Sequence, residues 1–264
     1  VGPISVQPSE IVKVFLVLSF ARYFTEIRRD GGLRFRDLLI PCVMLVVPFV
    51  LIAKQPDLGT ALVLFFVACT LVFASGFPLK ILLSLMGGGL IALPIGWIFL
   101  KDYQKVRVIT LLNPDFDPLG AGYHSWQSKI AIGSGGFWGK GFLAGTQSGL
   151  NFLPEKHTDF IFAVFAEEWG FVGTAVLLVL YMALILRGLS IAYSSKDRLG
   201  SLIATGVVAT LSVYILFNIG MTVGLTPVVG LPLPLFSYGG SSMLATMIAV
   251  GLLLNIRMRR FLYG

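Results

Sequence analysis

The chain has 264 residues, of which 56% are hydrophobic and only 12% charged, with a mean hydropathy of +0.88. A soluble domain carries about 25% charged residues, so lipid is the solvent for most of this chain and length alone does not count its domains. The net charge of +7 comes from basic residues in short connections, without the basic and aromatic interleaving of a nucleic-acid surface. That argues against nucleic acid as a partner and reads instead as membrane orientation.

The opening VGPISVQPSE has no initiating Met and no signal-peptide pattern, which leads to the expectation of a trimmed or partial chain. Runs apolar enough for a ~30 Å hydrocarbon core predict seven helices, at about 9–25, 37–53, 58–76, 79–100, 159–187, 200–223 and 240–257. Gly87, Gly88, Gly89 and Pro94 within them are tolerable in a membrane helix. Cys42 and Cys69 lie in apolar runs with no CxxC or Cys/His spacing, so buried free thiols are expected. The first connection holds Arg22, Arg28, Arg29, Arg34 and Arg36, a cytoplasmic signal. Alternation then puts Lys80, the Arg187/Lys196/Arg198 group and the Arg257/Arg259/Arg260 group on the same side. The outer side receives the Gln55–Gly59 turn, the 223–239 connection and one long extracytoplasmic loop over 101–158, a length that is usually functional. In that loop YHSWQSKIAIGS predicts a short interfacial amphipathic helix, and GSGGFWGKGFLAGTQSG predicts a mobile, backbone-exposing turn. The expected architecture is an all-α polytopic membrane helix bundle, with 1–264 as one integral membrane domain.

Ionisable groups in or beside membrane spans are costly and so become functional candidates. Glu10, Lys13, Asp57 and Asp159 all fall at the outer ends of three predicted helices, and Glu167 and Glu168 lie deeper. Each has a plainer reading. Glu10 and Lys13, three apart, can neutralise each other; Asp57 can cap a helix; Asp159 can serve a helix dipole. Glu167 and Glu168 cannot both point inward on a straight helix, so one is expected to reach a polar cavity or a partner. His157 has no second His or Cys at metal-ligand spacing and reads as a hydrogen-bonding helper. Three carboxylates and an ammonium at one face exceed what independent capping needs. They suit a lipid-tailed substrate with exposed phosphate or sugar, whose phosphate cations oppose and whose hydroxyl a carboxylate deprotonates.

Near the C-terminus the sequence reads NIGMTVGLTPVVGLPLPLFSYGGSS, Asn218 to Ser242. This stretch resembles the signature of the SEDS family of bacterial cell-wall polymerases, the RodA/FtsW/SpoVE group. QPSEIVK (Gln7–Lys13), KQPDLGTA (Lys54–Ala61) and LPEKHTDFIFAVFAEEWG (Leu153–Gly170) resemble the family's other landmarks, and NPDFDPLGAGYH with QSKIAIGSGGFWGKG looks like its elongation-type, RodA-like member. The family has ten membrane helices against seven here, so the resemblance implies that the first three are missing.

What the resemblance implies is a peptidoglycan glycosyltransferase of the bacterial cytoplasmic membrane, with its active site on the extracytoplasmic side. It polymerises lipid II, the undecaprenyl-pyrophosphoryl disaccharide-pentapeptide, beside a class B penicillin-binding protein that cross-links the product. The family's essential aspartate falls on Asp159, and its other sensitive positions fall on Glu10, Lys13 and Asp57. One inverting displacement converts the α-linked donor to a β-1,4 bond, with Asp159 as general base. Lys13, loop lysines including Lys156, Arg107 or a divalent cation (Mg or Mn) held by Asp57 and Glu10 are the candidates for opposing the pyrophosphate. Membrane lipids complete the expected partners. A lipid-linked-precursor flippase and a non-catalytic scaffold for the penicillin-binding protein are the competing classes.

Overall fold

Every regular element among the described residues is helical, as the lack of free water for backbone groups in lipid requires. The computed structural model describes residues 7–27, 33–55, 57–113, 116–117, 120–149, 155 and 157–262. Arg28, Arg29 and Lys156, invoked above for orientation and phosphate charge, lie outside the described residues. In chain order the helices are α1 (Pro8–Glu26), α2 (Leu39–Lys54, led by a 3-10 turn over Phe35–Leu38), α3 (Leu58–Ala74), α4 (Leu79–Phe99), α5 (Asp102–Leu112), α6 (Ala121–Gly135), α7 (Thr146–Gly149), α8 (Ile161–Tyr193), α9 (Arg198–Val223) and α10 (Gly240–Leu262).

All seven predicted apolar helices are present. Phe35–Lys54, Ile161–Tyr193, Arg198–Val223 and Gly240–Arg259 are long and apolar enough to cross a bilayer by length and composition; Leu58–Ala74 is a shorter apolar helix, and α4 runs 21 residues over Leu79–Phe99. α1 carries Glu10 and Lys13 at one end and Arg22 and Glu26 at the other. The chain is an integral membrane protein on this composition.

The helices gather into two compact units. The first comprises Val1–Leu100, Ile185–Val213 and Gly240–Gly264. Here α1 packs on α2, α3 and α10, and Phe20, Phe24, Leu64 and Leu71 are among its fully buried side chains. Arg198 at the start of α9 donates to the Ser75 carbonyl at 2.6 Å, so a cation serves the unsatisfied C-terminal end of α3.

The second unit comprises Lys101–Leu184 and Tyr214–Gly239. The long loop contributes three helices, α5, α6 and α7, and α6 covers the whole of the predicted amphipathic stretch. The glycine-rich segment after it is not the free turn the composition suggests. α8 breaks its helical geometry at Gly170 (φ +63°, ψ −160°), which orphans the carbonyls of Glu167 and Glu168 and the N–H groups of Phe171 and Val172. The loop backbone satisfies all four. Lys140 N and Gly141 N donate to the Glu167 and Glu168 carbonyls, each at 3.0 Å, while Phe171 N and Val172 N donate to the Gly136 and Phe137 carbonyls at 2.9 and 3.2 Å. Only glycine permits this approach: a Cβ on Gly170 would stand 2.3 Å from Gly139 N, and one on Gly139 would stand 2.1 Å from the Glu168 carbonyl oxygen.

Where α8 begins corrects the assumption that one straight helix carries Asp159 together with the Glu167/Glu168 pair. Asp159 is in the turn before α8, which starts at Ile161 and runs to Tyr193 rather than ending near 187, so a straight helix does not connect the three carboxylates. Of the pair, Glu167 is the one that finds a partner. It is fully buried, with Lys140 Nζ at 2.7 Å and the N–H groups of Thr146 and Gln147 donating to the same oxygen at 2.8 and 3.0 Å.

Candidate active site

The candidate residues fall into two groups, one in each unit. In the first unit, Pro8 at the first turn and Gln7 ahead of it start α1, placing Glu10 and Lys13 one turn apart on its buried face. Their side chains form an ion pair at 2.6 Å and are 8% and 4% exposed. Asp57 caps α3: one carboxylate oxygen accepts from Thr60 N at 3.0 Å and the other from the Gln7 side-chain amide at 3.3 Å. The Lys13 ammonium feels the Asp57 charge as well as that of Glu10. The plainer readings of neutralisation and capping therefore both hold geometrically. With Lys13 this deeply covered and already paired, its ammonium is not displayed to solvent.

In the second unit, Asp159 sits on a built seat. Three successive backbone carbonyls are each taken by a different donor: His157 O accepts from Tyr238 N at 2.9 Å, Thr158 O from the Ser237 hydroxyl at 2.6 Å, and Asp159 O from the Asn218 side-chain amide at 2.9 Å. The fully buried Asn218 also donates to the Leu231 carbonyl at 2.7 Å, and the Ser237 hydroxyl accepts from Leu233 N at 2.7 Å. The segment carrying Asp159 is thus stapled to α9 and to the 231–238 connection. Phe160 anchors it from behind in a core with Ala131 and Ala163.

The carboxylate lies beside Gly230, where a Cβ would meet the Asp159 oxygen at an ordinary contact distance of 3.4 Å. The Gly230 φ of +71° is what favours glycine at that position. Among the described residues no N–H of α8 donates to the Asp159 side chain, so dipole service rather than a direct cap is what remains of the plainer reading. Burial pushes the Asp159 carboxyl above its usual value of 3.8, and the Glu155 charge adds to that rise; a Thr158 hydrogen bond and the Arg107 charge oppose it. Arg107, on α5, lies over the Tyr103 ring at 5.8 Å. The His157 side chain is exposed, and its contribution here is its backbone carbonyl.

Asn218 and Ser237 were visible in the signature stretch but had no assigned role; their seat-building depends on tertiary contacts 59 and 79 residues away in sequence. Asn218 acts as a positioning residue. Its Nδ2 makes both bonds, while its Oδ1 has no partner among the described residues. Asn218→Ala is expected to reduce kcat about 100-fold, the cost of an ångström-scale misplacement, with KM nearly unchanged. Steady-state kinetics separate this from loss of substrate binding, which would raise KM instead.

An integral membrane protein with a half-buried carboxylate held on such a seat carries a candidate site for proton-transfer chemistry. The chain belongs to the FtsW/RodA/SpoVE family, whose profile, described as cell cycle protein, matches residues 1–261. It is 47% identical over 260 residues to the peptidoglycan glycosyltransferase MrdB of Escherichia coli K12, covering 98% of this chain and 70% of the relative. It is 38% identical over 259 residues to the stage V sporulation protein E of Bacillus subtilis 168, covering 97% of this chain and 69% of the relative. Among solved structures, a chain of a peptidoglycan synthase complex that coordinates polymerization and crosslinking superposes with a TM-score of 0.83 at 36% identity, covering 99% of this chain and 72% of that one. The rod shape determining protein RodA of Thermus thermophilus superposes with a TM-score of 0.68 at 33% identity, covering 99% and 68%.

Proposed function

We propose that this chain is a peptidoglycan glycosyltransferase that polymerises lipid II into β-1,4 glycan strands for cell shape, with Asp159 as general base. The observation that carries the assignment is the Asp159 seat: a carboxylate fixed through three backbone carbonyls and partly desolvated, so that it is a stronger base than a free aspartate. The acceptor's 4-hydroxyl oxygen attacks the anomeric carbon of the donor, and its proton passes to Asp159. The bond from that carbon to the pyrophosphate oxygen breaks on the opposite face. Undecaprenyl pyrophosphate leaves with the electron pair, and the α linkage becomes β.

The departing pyrophosphate needs positive charge. Arg107 takes this role in our reading, because its charge reaches Asp159 within the same unit. The Glu10–Lys13–Asp57 cluster then contributes to substrate binding by fixing the ends of α1 and α3. The residues present do not make a cation cage. Glu10 is committed to Lys13, Asp57 to Thr60 and Gln7, and among the described residues no three His, Cys, Asp or Glu gather. No step is therefore routed through Mg or Mn. The site faces the extracytoplasmic side of the bacterial cytoplasmic membrane, as the arginine distribution directs. A class B penicillin-binding protein is the partner, in keeping with the synthase-complex relative.

Incubating the purified chain with lipid II and resolving the products by gel tests the reading, run beside a liposome flipping assay. Strands without flipping support the polymerase; flipping without strands makes it a transporter; neither, with penicillin-binding protein association intact, makes it a scaffold. The raised Asp159 carboxyl also sets a pH dependence. The base works only when ionised, so the rate should fall as pH drops through a value above 3.8, the ordinary one. An acid limb in the pH–rate profile at or below that ordinary value would contradict the desolvated seat.

A further inference from the structure

At the far end of α8, Arg187, Ser190, Ile191 and Ser194 recur at helical spacing and form one wall of a cleft of about 150 Å³; Ser195 closes its end, and Ile256 and Arg257 of α10 form the other wall. Behind the α8 wall, Gly188 lets α9 approach closely: a Cβ there would stand 2.4 Å from Val208, with Leu253 of α10 at an ordinary 3.7 Å. All of these residues belong to the first unit, whereas Asp159 and its seat belong to the second.

The lining is chemically lopsided: two guanidinium groups, three hydroxyls and two isoleucines, with no carboxylate. The nearest acidic residue in the turn, Asp197, is already used, accepting from Gly200 N at 3.0 Å and from the Ser195 hydroxyl at 3.3 Å. Arg198, the next cation along, is likewise committed, to the Ser75 carbonyl. Arg187 and Arg257 have no hydrogen-bond or ion-pair partner among the described residues. Both sit at the end of the bundle that the arginine distribution assigns to the cytoplasm. Exposed leucines stand next to the cleft on its membrane side, Leu186 one residue before Arg187 on α8 and Leu254 two residues before Ile256 on α10. Guanidinium forks match phosphate oxygens, and basic pockets between membrane helices on the cytoplasmic side are suited to phospholipid headgroups. Apolar surface leading away from the cleft distinguishes a lipid from a free phosphate, which has no acyl chains to lay along it.

We propose that this cleft binds the phosphate of an anionic phospholipid, gripped between Arg187 and Arg257, with the acyl chains leaving past Leu186 and Leu254. The site is separate from glycan chemistry and ties the protein to the anionic lipid of the inner leaflet.

The test uses the purified chain in phosphatidylcholine nanodiscs doped with phosphatidylglycerol, counting retained lipid by native mass spectrometry. The Arg187→Gln/Arg257→Gln double variant should retain phosphatidylglycerol about tenfold less. Arg259→Gln, on the same helix but outside the cleft, should match the parent. Both variants alter exposed side chains, and unchanged elution and melting confirm their folding. Equal losses in the double variant and in Arg259→Gln, or no loss in either, would overturn the proposal, because only diffuse surface charge would then be at work. Millimolar inorganic phosphate should leave retention unchanged; complete displacement by it would assign the cleft to free phosphate and refute the lipid.

Discussion

Asp159→Asn should cut strand synthesis from purified lipid II by about 100- to 10,000-fold, while the protein elutes and melts no worse than its parent. The seat is made of main-chain carbonyls of residues 157, 158 and 159, none of which the substitution removes. The stability sign can be worked out from the carboxyl. Its folded-state pKa is raised, so the ionised form is disfavoured by folding; that penalty is fully present above the raised value and absent below the unfolded one. At neutral pH an amide avoids it, and the variant should be at least as stable as the parent. Asp159→Glu is a sharper companion. An added methylene carries the carboxylate away from the position that the three-carbonyl seat sets, so activity should fall without a change in charge. Strand synthesis above a tenth of the parental rate in Asp159→Asn would remove Asp159 from the role of base.

The helical architecture was legible because lipid imposes a single rule on long apolar runs, and composition alone revealed that lipid was the solvent. Boundaries were less so. α8 extends about six residues beyond the expected 187 to Tyr193, because Arg187 does not end a helix whose remaining turns are apolar or small. α1 differs from the other predicted helices in carrying charge at both ends, Glu10 and Lys13 at one and Arg22 and Glu26 at the other, around an apolar middle.

The candidate site was legible in part for a physical reason. Asp159, Asp57 and the Glu10–Lys13 pair announce themselves by the cost of a charge in an apolar setting, and that cost is local in sequence. Asn218 and Ser237 carry no charge, and what they do depends on carbonyls brought from 59 and 79 residues away. Three successive carbonyls with one donor each cannot be read from a linear pattern. The glycine-rich loop misled in the opposite direction. Glycines at 136, 139 and 141 do take left-handed backbone angles, as a free turn would, but they do so to bring N–H and C=O groups against the break in α8. Gly139 and Gly170 form one joint, and the pairing is invisible until both are in space.

Lys140→Met should cost about 3 kcal/mol of stability, because it leaves the fully buried Glu167 carboxylate without its cation. The value sits at the low end for a broken buried pair, since Thr146 N and Gln147 N continue to donate to the same oxygen. Lys140→Met/Glu167→Gln should recover much of the loss, because the neutral amide no longer needs a counter-charge. The comparison matters functionally as well as structurally. Glu167 holds the 140–147 segment by its side chain while the Glu167 and Glu168 carbonyls hold it by its backbone, and the same stretch of α8 begins two residues after Asp159. A loosened loop should therefore show as faster proteolysis between 136 and 149 together with a lower melting temperature, with the double variant restoring both. If Lys140→Met melts with the parent, Glu167 is served by the backbone donors alone, and the ion pair is incidental to the joint.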